Sequence, residues 1–110
     1  MIELIVYKYL KNALNCRISV ERLEDIDKYV YIEKTYNNEK NMLKKCTIAI
    51  QSYAPSFQET LELNENVKKA MLEIVSLDDI SSCKLINDYK FDDLTRKKYR
   101  YQALFNITYY

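Results

Sequence analysis

Two short runs of this sequence have residue types that could do chemistry. The first is Asp88-Tyr89-Lys90, preceded by Asp78 and Asp79. An acidic residue, a gap and then Asp-x-Lys on a strand is the pattern of restriction-type nucleases, whose carboxylates hold Mg²⁺ while the lysine supports the attacking water. A period of two puts Asp88 and Lys90 on one side of a strand. However, 30% of the chain is charged, so such patterns arise easily by chance. Asp78 and Asp79 also fall where a helix should end, not in a neighbouring strand. The second run, Arg96-Lys97-Lys98-Tyr99-Arg100-Tyr101, has the basic and aromatic types of a nucleic-acid surface. Strand alternation puts its rings on one face and Lys98 and Arg100 on the other, so rings and charges do not interleave. Both runs read as structural, and no catalytic, cofactor-binding or metal-ligating residue is assigned.

Missing residue types narrow the field. There is no His, so the commonest general base and metal ligand is absent, and lone Ser or Cys nucleophiles have nothing to activate them. There is no Gly, which removes phosphate-cradling loops and dinucleotide fingerprints. Turns that need a positive φ are therefore expected at Asn or Asp. The 17 Lys and Arg balance 16 Asp and Glu, leaving a net charge of +1. A protein held to nucleic acid by counterion release would carry a basic excess, so no sequence-specific nucleic-acid partner is expected. Cys16, Cys46 and Cys83 are odd in number and far apart, without a Cys-x-x-Cys pair. They read as reduced thiols packed among apolar residues. No basic leader is recognised at the N-terminus and no run approaches the ~20 apolar residues of a membrane span, so a soluble protein with no membrane partner is expected.

The elements that must position these residues can be read from periodicity. Residues 2–14 place Ile2, Ile5, Val6, Tyr9, Leu10, Ala13 and Leu14 on one helical stripe. A short strand is expected over 17–23, another over 28–36 and a third over 45–53, the last two forming a hairpin around a long polar connection from Asn37 to Asn41. Pro55 then precedes Ser56-Phe57-Gln58-Glu59, a Ser-x-x-Glu capping box. The helix it opens should run to about residue 76, with Phe57, Thr60, Leu63, Val67, Ala70, Met71 and Ile74 on one face and a Glu65–Lys69 pair on its surface. A second hairpin follows, from strands over 81–91 and 96–108. In the last strand Tyr99, Tyr101, Ala103, Phe105 and Ile107 should face the core, and Lys98, Arg100, Gln102, Asn106 and Thr108 the solvent.

The order α-β-β-β-α-β-β, with strands joined by hairpins, predicts an α+β fold: a mainly antiparallel β-sheet with two helices packed on one face. At 110 residues the chain is expected to be one domain, 1–110.

The run Thr47-Ile48-Ala49-Ile50-Gln51-Ser52-Tyr53-Ala54, followed by Leu63-Asn64-Glu65 and Val67-Lys68, resembles a tail terminator family of long-tailed bacteriophages and prophages. Ile80-Ser81-Ser82, Asp88-Tyr89 and Tyr99-Arg100-Tyr101-Gln102-Ala103 extend the resemblance over roughly residues 28–108. It implies a non-enzymatic virion protein that needs no cofactor. Such a protein forms a hexameric ring on the growing tail tube, stops its polymerisation and presents a head-joining surface. The implied partners are further copies of the chain, the tail tube protein, the head–tail connector and, in a contractile tail, the sheath. The implied place is the virion neck, assembled in the bacterial host cytoplasm. The absence of glycine departs from the family's usual pattern, and its tube-contacting residues are not a fixed motif, so none is carried over. From the residues themselves, the polar arm at 37–45 supplies the candidate assembly contacts Lys40, Met42, Leu43, Lys44 and Lys45, and reads equally as a solvated loop. Other readings that remain are a different neck or minor tail protein of similar fold, a small nucleic-acid-binding module and a Mg²⁺-dependent nuclease.

Overall fold

Alternating apolar and polar types become, in the computed structural model, a five-stranded sheet in the order β1-β2-β3-β5-β4. The structure describes residues 2–40 and 43–110. The strands are β1 (Arg17–Ser19), β2 (Tyr29–Lys40), β3 (Leu43–Ala54), β4 (Ile80–Lys90) and β5 (Tyr99–Tyr109), with helices α1 (Ile2–Ala13) and α2 (Phe57–Leu72) and a 3₁₀ turn at Ile74–Ser76. Only β1 runs parallel to its neighbour; β2–β3, β3–β5 and β5–β4 are all antiparallel. The fold is therefore α+β, with the element order read from the sequence.

Each helix forms for a local reason and is held by a buried stripe. Ile2, Val6 and Leu10 are the buried positions of α1. In α2 the Ser56 hydroxyl accepts from the Glu59 amide at 3.2 Å, as the capping box requires. The Glu59 carboxylate accepts from that hydroxyl instead of reaching the Ser56 amide. Thr60, Leu63, Val67, Ala70 and Met71 turn inward, joined by the polar Asn64, whereas Phe57 is exposed. The surface pair of α2 is Glu65–Lys68 at 2.9 Å, one residue earlier than the expected Glu65–Lys69.

Both helices lie on the face of the sheet that carries Val30, Ile32, Cys46, Ile48, Ile50, Cys83, Ala103, Phe105, Ile107 and Tyr109, and all these belong to one apolar cluster. The Tyr9 hydroxyl ties α1 to α2 by donating to the Ala70 carbonyl at 2.6 Å. At roughly 25 cal/mol per Å² of apolar area, each such fully buried aliphatic side chain contributes about 1.5–3 kcal/mol before entropy is subtracted.

Three further expectations need correction. The polar tract from Asn37 is not a long connection: Asn37–Lys40 continue β2 and pair with Leu43–Cys46 of β3. Leu43, Lys44 and Lys45 lie in β3, where Lys44 and Lys45 also pair with Tyr109 and Thr108. Ladder bonds on both flanks of β3 outweigh the poor strand propensity of Asn and Lys. Second, among the described residues the positive φ falls on Lys97, at 55°, and not on an Asn or Asp. Its turn is closed by the Asp93–Lys98 backbone pair and by the Asp93 carboxylate accepting from the Arg96 amide. Third, the short strand ends at Ser19 instead of residue 23. Because β1 runs parallel to β2, the chain must travel back along the sheet before β2 begins, and it does so through residues 20–28.

Candidate assembly surfaces

The sheet face away from the helices is divided in two. At one end, Tyr29, Gln51, Tyr53, Arg100 and Gln102 are buried although the helices are on the other side. Tyr29 and Tyr53, paired across β2 and β3, stack with their rings 4.6 Å apart and nearly parallel. A directed hydrogen-bond chain runs from the Arg100 guanidinium to the Tyr53 hydroxyl, then to the Gln51 side-chain carbonyl. The Gln51 amide donates to Gln102, which donates to the Tyr89 hydroxyl. Arg100 also donates through Nε to the Phe91 carbonyl, lies 4.2 Å above the Phe91 ring and sits 3.8 Å from the Asp93 carboxylate.

Residues 20–28 cover this end. The Leu23 amide donates to the Tyr29 hydroxyl, and Lys98 Nζ donates to the carbonyls of Leu23, Glu24 and Ile26. Burial raises the Tyr29 hydroxyl above the ordinary phenol value, opposed by that amide. The last strand therefore does not divide as expected. Arg100 is 7% exposed and Gln102 8%, whereas Tyr99, expected in the core, is 43% exposed. Lys98 is not a free surface charge but a clamp on three carbonyls. The reason is non-local: a polar side chain can be buried where another segment supplies partners for its atoms.

The other end of this face is an open polar groove of about 340 Å³, lined in part by Lys45, Thr47, Ser82, Lys84, Asn106 and Thr108. Thr47 donates to the Asn106 side chain across β3 and β5 at 2.8 Å. Of the candidate contacts read from sequence, Lys45 lies here. Lys44, one residue away on β3, points to the opposite face and holds its ammonium over the Tyr109 ring at 5.9 Å. Leu43 is half-buried and paired with Lys40. Met42 lies outside the described residues. Strand alternation thus sends Lys44 and Lys45 to different surfaces, and the structure does not gather them into one contact.

Asp88 and Lys90 face the helices. Asp88 accepts from Asn64 and from Lys68 of α2, both at 2.9 Å. Hydrogen bonds from Lys68 to Glu65 and Asp88 raise the Lys68 ammonium above its ordinary value. Lys90 reaches Asp92 at 3.4 Å and lies over the Phe57 ring. Asp78 and Asp79 are exposed where α2's 3₁₀ extension gives way to β4, and the Asp79 carbonyl accepts the Tyr110 amide. Among the described residues no three His, Cys, Asp or Glu side chains converge as a metal site would need. All three thiols are free; burial pushes Cys46 up to about 11 and Cys83 up to about 12.

No helix among the described residues is long and apolar enough to cross a membrane. In comparisons with known proteins, no family model and no curated protein matches the chain.

Proposed function

We propose that the chain is a tail terminator: a structural, non-catalytic subunit that forms a ring on the end of a phage or prophage tail tube. In this role it stops polymerisation and offers the opposite ring surface to the head connector, with the sheath as a further neighbour if the tail is contractile. The observation that carries the reading is the division of the sheet. Both helices pack on one face, while the other face ends in a polar, lysine-bearing groove. The polar lining suits a protein neighbour better than a small molecule, whose sites are mostly apolar. The resemblance from Thr47 to Ala54 falls on the strand that runs through both halves of that face. The engagement of Asp88 by Lys68 and Asn64 weighs against the nuclease reading, because both contacts fall on Oδ2 of the carboxylate and set an ammonium where a cation would bind.

Light scattering and negative-stain imaging of the purified chain, alone and with assembled tail tubes, test the proposal. The expected result is a closed ring, formed either alone or on the tube end. A monomer under both conditions refutes it.

A further inference from the structure

Among the described residues both outer edges of the sheet lack a strand partner over most of their length, and they match. On one side β1 covers β2 only from Tyr29 to Tyr31, so that among the described residues no strand pairs with the outer edge of β2 over 32–40. On the other side β4 is the last strand, and among the described residues no strand pairs with its outer edge. The heights of the two edges follow from the register. Ile32 pairs with Ile50, Ile50 with Ala103 and Ala103 with Asp88, so Ile32 and Asp88 lie in one row. By the same steps Glu33 is level with Asn87, Lys34 with Leu85, Tyr36 with Lys84 and Asn37 with Cys83. The free part of β2 and residues 80–88 of β4 therefore occupy the same rows.

Direction matches as well. β2 to β3, β3 to β5 and β5 to β4 are three successive reversals, so β4 runs opposite to β2. A second copy set beside the first in the same orientation places its β4 antiparallel to the free edge of β2, continuing the sheet's alternation. Each edge has an irregularity at nearly the same height, between Lys34 and Tyr36 in β2 and between Leu85 and Asn87 in β4, and β4 has a second near its start, between Ile80 and Ser82. A bulge bends its strand and discourages indiscriminate pairing with flat strands. Two bulges in neighbouring rows bend the two edges at the same level. The unshifted register sets no like charges opposite each other: Glu33 meets Asn87, Lys34 meets Leu85 and Ile32 meets Asp88. At the β4 bulge, Ile86 is 51% exposed in the isolated subunit.

We infer that the ring interface is an antiparallel strand pairing between residues 32–40 of one copy and residues 80–88 of the next. This rests on the tail-terminator reading for the existence of a ring, and adds to it the partner surface and the register. Because the two edges differ, the contact is head-to-tail; such contacts close into rings when the rotation allows and otherwise run on as filaments. Main-chain hydrogen bonds supply the adhesion, and the bulges together with the row-by-row side-chain match supply the selectivity.

The test is cysteine cross-linking of the full chain in a Cys16→Ser background. Glu33→Cys and Asn87→Cys lie in one row on the open face of the sheet. Together in one chain, they are expected to give a ladder of covalent oligomers under mild oxidation, reversed by reductant. Either substitution alone should give none. The pair Glu33→Cys and Ser82→Cys, four rows out of register and beyond the roughly 7 Å Cα reach of a disulfide, should also give none. Circular dichroism establishes that each variant is folded. A ring seen in stain without the in-register ladder overturns the edge pairing while leaving the ring reading intact. A ladder as strong out of register, or dimers from Asn87→Cys alone, also overturns it. An in-register ladder from a protein that leaves tail tubes uncapped upholds the pairing and refutes tail termination.

Discussion

Arg100→Met is the most informative single change, because surface and core readings of Arg100 predict different outcomes. An exposed arginine on a solvated strand face would cost about 0.5 kcal/mol or less on replacement. In the structure the Arg100 and Asp93 side chains are each only 8% exposed, and the guanidinium also serves Tyr53 and the Phe91 carbonyl. Methionine keeps much of the volume and the apolar stem but leaves the Asp93 carboxylate buried without its cation. Removing one member of a buried pair costs about 3–5 kcal/mol. The lower end is expected, because Asp93 keeps the Arg96 amide and its separation from Arg100 is 3.8 Å. Asp93→Asn retains an acceptor for that amide, and should cost about 1–2 kcal/mol. The double variant leaves no uncompensated charge, so it should fall short of the sum by about 1 kcal/mol or more. Urea unfolding measures this, followed by far-UV dichroism and by tyrosine emission, since the chain has 11 Tyr and no Trp. Near-UV dichroism should lose intensity if the Tyr29–Tyr53 stack loosens. A loss below about 1 kcal/mol for Arg100→Met, or strict additivity in the cycle, refutes the buried-pair account.

Lys97→Gly should stabilise the fold by up to about 1 kcal/mol, because a non-glycine residue at φ 55° bears a steric cost that glycine does not; a lower denaturation midpoint would mean that the Lys97 side chain contributes more than its backbone costs. Thiol labelling near pH 8 should reach half-buried Cys16 first, with Cys46 and Cys83 reacting only on unfolding; equal rates would refute their burial. Both buried thiols have raised folded-state values, so the folded protein holds their protons more tightly than the unfolded chain. That contribution is complete below the ordinary thiol range and should be lost as pH rises towards about 11 for Cys46 and about 12 for Cys83; stability that stays flat over this window in urea melts would show that burial does not set the shift.

Periodicity was a sound guide wherever one contact surface decided a residue's fate. The stripe Ile2, Val6, Leu10 and the run Ala103, Phe105, Ile107 face the helix–sheet core as read from spacing alone. The Ser56–Glu59 cap is also local, its chemistry confined to four successive residues, and the start of α2 follows from it. The same reasoning places Asp88 and Lys90 on one side of β4, but Lys68, the partner of Asp88, lies 20 residues earlier in the chain and follows from no spacing rule.

What the amino-acid order determined by itself was the sequence of elements, most of the apolar face of the two helices and the last strand, and the absence of His and Gly, because these depend on neighbours within a few residues or on composition. Tertiary structure alone decided the rest. Arg100 and Gln102 look like solvent residues until Tyr53, Gln51 and Tyr89 are brought beside them and residues 20–28 fold over that end. Asn37–Lys40 look like a loop until β3, held on its far side by β5, gives them a ladder to join. The levels of the two free edges exist only once all the pairings are in place, since each row is the product of three registers. Burial of a polar group is set by the partners that folding brings to it, and those partners are distant in the chain.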